Sequence, residues 1–262
     1  MIPVATPPFP LIFAHRGGGA EAVENSLAAF EQLREAGIDH IETDVHLTRD
    51  GEVVISHDAT IDRCFDGTGK ISDYTLEELQ GFRNAAGEPP QRLADVLEAF
   101  PDLYFNIDAK SDEVAEPLLQ VIADAGAADR VMVASFSEKR LRRIRERGSA
   151  ALSTSLGVGG IARLLFAAQT AFPAAAWGVP GPNEQVRAAQ VPETTRGIRV
   201  VSPRFIAAAH NAGLAVHVWT VNEREQMERL LDWGVDGIVT DHPLMLKELL
   251  IERGQWPGDA PG

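Results

Sequence analysis

Cysteine occurs once in the 262 residues, at Cys64, so the chain can form neither an internal disulfide nor a thiolate metal cage. Cations are scarce too: 24 Lys and Arg face 38 Asp and Glu, leaving a formal charge of −14. Phosphate backbones repel such a surface, which excludes a simple electrostatic nucleic-acid binder. An acidic protein that handles a phosphate needs a local correction, a bound cation or a few placed Arg and Lys. Long hydrophobic runs are missing as well. The longest apolar stretch, 161–177, is broken by Arg163, Gln169, Thr170 and Pro173 and is too short to span a bilayer. The first ten residues hold four prolines and no basic residue, unlike a signal peptide. Together with the lone cysteine this gives a cytoplasmic location as the expectation. No repeat of fixed period occurs.

What is present is a chain with 45% hydrophobic residues, long enough to bury a full core. The expected organisation is a Pro-rich segment over 1–10, one domain over 11–253 and a flexible tail over 254–262. Within the domain, β-branched runs at 11–14, 39–45, 52–56, 103–109, 131–136, 151–155, 215–220 and 237–240 read as strands. Helical patterns lie between them, the first over 26–36, capped by Asn25 and closed by Gly37. Strand and helix alternate roughly eight times over about 250 residues, the size and rhythm of a (β/α)8 barrel. A doubly wound sheet would usually place a GxGxxG turn after its first strand. Here the first strand runs into His15-Arg16-Gly17-Gly18-Gly19, which lacks that spacing.

In such a barrel the chemistry sits where strands end. The first strand ends in His15-Arg16, the second in Glu42-Thr43-Asp44, the next in His57-Asp58, and the 103–109 strand in Asp108-Ala109-Lys110. Glu42 and Asp44 are two apart, so in a strand they point to one side. Two such carboxylates repel, and one stays protonated unless a cation joins them. Oxygen ligands select a hard divalent ion, Mg2+ or Ca2+, with Asp108 as a third carboxylate. The alternative is that Glu42 and Asp44 simply pair with Arg16 and Lys110. Asp50-Gly51 is a hairpin signal. A tight two-residue turn there would set opposite each other positions that sum to about 101, placing His57 across from Asp44.

The segments AHRGGG (14–19), VENSLAAF (23–30), IETDVHLTRDGEVVISHD (41–58), FNIDAK (105–110), VHVWTVN (216–222) and GVDGIVTDHP (234–243) together resemble the glycerophosphodiester phosphodiesterase family. The resemblance spans nearly the whole chain, least in 156–199. It implies a single TIM barrel of the PLC-like phosphodiesterase type that hydrolyses glycerophosphodiesters to an alcohol and sn-glycerol 3-phosphate. It further implies His15 and His57 as the acid–base pair, and Glu42, Asp44 and Asp108 as ligands of one divalent cation. Arg16 and Lys110 would contact the phosphate, and Trp219 would line the substrate pocket. Glu24-Asn25-Ser26 stands where the family has Glu-Asn-Thr. The family commonly has Glu at the position of Asp108; the shorter side chain draws the metal closer or admits a water.

Other residues read as structural: His46 at the outer end of the turn, His217 in the interior, and His40, His210 and His242 without motif partners. Asp241 ends the last strand at the barrel face where the chemistry sits, but could simply cap the following helix, with Pro243 at its start. The apolar 161–177 stretch could lie over the site mouth, where it would suit a fatty chain or a peripheral membrane contact, or could simply pack on the barrel. Two readings therefore stand beside the leading one: a lysophospholipase D that releases lysophosphatidic acid, and a non-catalytic phosphate-binding barrel.

Overall fold

The computed structural model describes residues 9–170 and 172–257. The expected segment 1–10 lies almost wholly outside the described residues, as does 258–262 of the expected tail. In chain order the strands are β1 (Leu11–His15), β2 (His40–Leu47), β3 (Val53–Ile55), β4 (Tyr104–Ala109), β5 (Val131–Ala134) and β6 (Ser153–Ser155). Then come β7 (Val186–Pro192), β8 (Thr194–Thr195), β9 (Ile198–Arg199), β10 (Ala215–Trp219) and β11 (Gly237–Thr240). The helices are α1 (Leu27–Glu35), α2 (Leu76–Leu79), α3 (Leu93–Ala99), α4 (Ala115–Asp124), α5 (Glu138–Arg147), α6 (Val158–Ala167), α7 (Pro203–Asn211), α8 (Arg224–Trp233) and α9 (Pro243–Glu252). None of them is long and apolar enough to cross a membrane.

Parallel pairing runs β1, β11, β10, β7, β6, β5, β4, β2, and β2 pairs back to β1, closing an eight-stranded barrel. The strand candidates of the sequence also number eight, but not the same eight. The 52–56 run is β3, which pairs antiparallel with the end of β2 outside the barrel. The missing strand is β7, in the stretch least legible from sequence, where the pairing with β6 slips register between Thr154 and Ser155.

Strand alternation divides two cores. Outward residues such as Ile12, Ile41, Phe105, Ile107 and Val216 join the helices in the main cluster. Phe30 of α1 sits there with its ring 5.9 Å from Phe100 and 6.1 Å from Phe105, both edge-on. Truncating so buried a ring costs roughly 3–5 kcal/mol. Inward residues fill the barrel: Met132 and Ala188 pack with Tyr104 and Ala215, and Phe13 lies between His40 and His217 at 5.3 and 4.5 Å. Gly237 makes room for that ring, since a Cβ there would lie 2.8 Å from Phe13.

Two local expectations are corrected. Ser26, not Asn25, caps α1, its Oγ accepting from Ala29 N at 3.1 Å. Asn25 takes the left-handed region (φ +55°), which Asn tolerates, and turns the chain while its Oδ1 accepts from Thr43 Oγ1 at 2.8 Å. The β2–β3 turn holds three residues, with Thr48 N donating to Glu52 O at 3.0 Å and Gly51 at φ +88°. A left-handed glycine after a type I turn adds one residue to the loop. Val45 therefore faces Ile55 and His46 faces Val54, so opposing positions sum to 45 + 55 = 100 and the register is one off the expectation.

His217 is an interior histidine, as expected, and its environment makes a pH prediction. The Gln190 amide donates to Asn106 Oδ1 at 3.0 Å and to His217 Nδ1 at 3.3 Å. Burial, helped by the nearby His40, pushes the His217 imidazole down to about 3. The unfolded chain gains a proton here below about pH 6.5 while the folded chain does not, so stability present above that pH is lost as pH falls. His217→Gln should therefore lose less stability between pH 7 and 5, by about 2 kcal/mol. Urea unfolding at both pH values checks this, and parallel losses in the two proteins would contradict it.

Candidate active site

At the end of β1 the chain takes three successive left-handed residues, Arg16 (φ +53°), Gly17 (+81°) and Gly18 (+85°). A Cβ on Gly17 would lie 3.0 Å from Phe30, and one on Gly18 2.8 Å from Pro243, so the turn needs both glycines. Arg16, with a side chain, carries a cost of order 1–3 kcal/mol for that conformation. Its backbone N–H is anchored on Glu42 O at 2.8 Å.

His15 precedes that turn. Its Nδ1 donates to Asp241 Oδ1 at 2.6 Å, which leaves Nε2 unprotonated in the neutral ring, 3.9 Å from Glu42 Oε2. Asp241 in turn accepts from Asn222 Nδ2 at 2.7 Å. Burial would raise the Asp241 carboxyl, but the bonds from His15 and Asn222 outweigh it and hold the carboxyl below its usual value. The sequence reading of Asp241 as a helix cap is therefore corrected: Glu21 serves the start of α9, accepting from Leu244 N at 3.0 Å. The strand-end position was the signal that could have found Asp241. Its partner lies 226 residues away.

His57, beyond β3, repeats the device. Its Nδ1 donates to Asp58 Oδ1 at 2.8 Å, and Asp58 Oδ2 accepts from Arg63 Nε at 2.6 Å. His46 Nε2 donates to the His57 carbonyl at 3.2 Å.

Between the histidines the β2–β4 register sets Glu42 beside Asn106 and Asp44 beside Asp108. Burial first, then the charges of Asp44 and Asp108, push the Glu42 carboxyl well above its usual value. Burial also raises Asp108, against the pull of Lys110. Lys110 Nζ donates to Asp44 Oδ1 at 2.6 Å and to Asp108 Oδ2 at 3.0 Å. Burial would lower the Lys110 ammonium, but those two charges outweigh it and raise it. The ion-pair alternative thus holds for Asp44 with Lys110, while Arg16 Nε stands 4.0 Å from Asp44 and Glu42 pairs with neither cation.

Six buried side-chain polar atoms lack a hydrogen-bond partner among the described residues, and four of them are here: Arg16 Nε, Glu42 Oε2, Asp44 Oδ2 and Asp108 Oδ1. No group of three acids or imidazoles among the described residues is gathered tightly enough to hold an ion as it stands. The Lys110 ammonium lies between Asp44 and Asp108 instead. The donor chemistry nonetheless fits a hard cation: three carboxylates, each with one oxygen that no protein donor reaches.

His15, Arg16, Glu42, Asp44, His57, Asp108, Lys110 and Trp219 all line one cavity of ≈ 460 Å³. The opposite wall is apolar, made by Leu156, Val158, Ile161, Val191, Val200 and Phe136, whose ring meets Trp219 edge-on at 6.0 Å. Among the described residues of the 161–177 stretch only Ile161 lines the cavity. Leu164 and Ala167 pack into the core, and Phe166 meets Trp177 edge-on at 4.7 Å, so the described part of the stretch packs on the barrel.

The Glycerophosphoryl diester phosphodiesterase family matches residues 15–245. A Mycobacterium tuberculosis protein named "Probable glycerophosphodiester phosphodiesterase 2" is 35% identical over 95% of this chain and 93% of its own length. A glycerophosphodiester phosphodiesterase of Caldanaerobacter subterraneus is 32% identical, covering 93% of this chain and 99% of that protein. An Oleispira antarctica phosphodiesterase solved with the product sn-glycerol-3-phosphate superposes with a TM-score of 0.76 at 21% identity, covering 93% of this chain and 97% of that one.

The charge balance of the cluster yields a stability prediction. Lys110→Met leaves two buried carboxylates without their shared cation and should cost roughly 3 kcal/mol at pH 7.5. The deficit should shrink at pH 5, because Asp108, already raised by burial, loses the opposing pull of Lys110 and takes up a proton more readily. Urea unfolding at both pH values measures it; a deficit that is absent, or the same at both, would contradict the assigned pairing.

Proposed function

The chain belongs to the glycerophosphoryl diester phosphodiesterase family and is an enzyme of that class, and from that membership we propose that it hydrolyses glycerophosphodiesters to an alcohol and sn-glycerol 3-phosphate. In this reading His15 and His57 are the acid–base pair, and Glu42, Asp44 and Asp108 hold one divalent cation. The observation that carries the reading is the pairing of two carboxylate-tethered imidazoles with a buried cluster of unpartnered carboxylate oxygens in one cavity.

The residues divide the work as follows. One imidazole takes the proton of the attacking group at its Nε2, either a water or the neighbouring hydroxyl of the glycerol, and the other returns a proton to the departing alcohol oxygen. A cyclic phosphate formed by the hydroxyl is then opened by water to sn-glycerol 3-phosphate. Asp241 and Asp58 fix the two Nδ1–H tautomers and stabilise the imidazolium that forms. Arg16 donates from its unpartnered Nε to a phosphate oxygen, and Lys110 adds a second positive charge beside it. Trp219 walls the substrate end of the cavity. The bound cation would supply the positive charge that offsets the diester in a chain of net charge −14.

A second reading rests on the apolar wall. Phe136 and Val158 line the cavity and are 61% and 57% exposed, a surface suited to an acyl chain. That would make the enzyme a lysophospholipase D acting on lysophospholipids, with peripheral contact at a lipid surface.

Metal-stripped protein should release choline from glycerophosphocholine only when Mg2+ or Ca2+ is restored. His15→Ala and His57→Ala should lower kcat by about 100-fold or more. Asp241→Asn should lower kcat about 100-fold with KM little changed, because it loses the tautomer and keeps the cavity. Preference for lysophosphatidylcholine, reduced by Phe136→Ser, would select the lipid reading. Absence of turnover with either substrate and either ion would replace both readings with a phosphate-binding barrel.

A further inference from the structure

His15 and Arg16 end a barrel strand. His57 follows β3, whose Val53 and Ile55 pack in the main core, while Val54 turns to a second cluster with Ile61, Ile71 and Leu79 of the excursion that runs on beyond His57. An excursion packed largely on its own cluster needs registering on the active site, because a misplacement of about 1 Å can cost 100-fold in rate.

Arg63 links the excursion to the site. Its Nε donates to Asp58 Oδ2 at 2.6 Å, and its two terminal nitrogens donate to both oxygens of Glu24 at 2.6 and 2.9 Å. The other oxygen of Asp58 holds His57 Nδ1, and Glu24 Oε2 also stands 3.7 Å from the Arg16 guanidinium. One guanidinium therefore links the carboxylate behind one imidazole to the carboxylate beside the phosphate-facing arginine. We propose that Arg63 is a positioning residue that clamps the His57-bearing excursion against the Arg16-bearing loop, through Asp58 on one side and Glu24 on the other. The proposal rests on the reading of His57 as one of the acid–base pair.

Three observations favour a geometric role over a stabilising one. Arg63 is 48% exposed, so solvent screens its side of these ion pairs and limits what they add to stability. A planar guanidinium offers separate edges to two carboxylates, which an ammonium does not. The rest of the seam is fixed elsewhere: Glu88 accepts from Leu27 N and Ala28 N at 2.7 and 3.1 Å, and His46 holds the His57 carbonyl.

The test compares wild type, Arg63→Gln and Arg63→Lys in turnover of glycerophosphocholine, thermal unfolding and backbone hydrogen exchange. Arg63→Gln should keep its melting temperature and lower kcat by about 10- to 100-fold, more than it raises KM. Exchange should speed up over 56–66 while the barrel strands stay protected. Arg63→Lys should recover part of the loss. Unchanged kcat and unchanged exchange would overturn the proposal, and so would an activity loss matched by loss of protection throughout the barrel. If Arg63→Gln does not fold, Glu24→Gln opens the other end of the clamp and is judged by the same readouts. If wild type turns over no diester, the functional reading fails separately, and unchanged exchange over 56–66 still overturns the clamp.

Discussion

Glu42, Asp44 and Asp108 place three carboxyl groups, none more than 12% exposed, at adjoining strand ends, with one ammonium bonded between two of them. Buried charge of one sign is costly, and it is tolerated when a proton, a counter-ion or a metal balances it. Here all three means are within reach. Burial and its acidic neighbours hold a proton on Glu42 to higher pH, Lys110 serves Asp44 and Asp108, and one oxygen of each acid still has no partner. Much of the site follows from that imbalance. The left-handed Arg16 aims an unpartnered Nε at the acids, and the histidines on either side lean on carboxylates outside the cluster.

The two histidines are alike in chemistry and different in support. His15 is tied to Asp241 across the seam where the first and last barrel strands pair, so its position comes with closure of the barrel. His57 follows β3, which pairs antiparallel with the end of β2 and whose extension bonds Ser56 N to Asp44 O at 3.0 Å, and its ring is held by Asp58, itself bonded to Arg63. Opposite them lies an apolar wall built from Val191 of β7, Val158 and Ile161 at the start of α6, and Phe136, Leu156 and Val200 from the neighbouring loops. A diester would thus meet charge at its phosphate and hydrocarbon at its other end.

The site was more legible in the sequence than the strands that carry it. Strand ends, together with the period of two, put Glu42 and Asp44 on one side, and all eight residues singled out do line one cavity. The strand count was legible only as a rhythm. Val186–Pro192 carries Arg187 and Gln190 and pairs with a register slip, so it shows neither clean alternation nor a continuous apolar run. Asp241 was hidden because a strand-end Asp before a Pro-led helix is also what a cap looks like. Only the long-range contact to His15 separates the two. The hairpin register failed by one residue because Asp-Gly fits a two-residue turn and a three-residue turn ending in a left-handed glycine equally well.

The central claim is that the carboxylate cluster is a cation site placed between two histidines. A crystal grown with Mn2+ and sn-glycerol 3-phosphate tests it most directly, through the anomalous signal of the metal. The account predicts one peak bounded by Glu42, Asp44 and Asp108, with Lys110 displaced from at least one acid and the phosphate beside Arg16 and both imidazoles. A peak elsewhere, or a phosphate seated against the apolar wall, would contradict it.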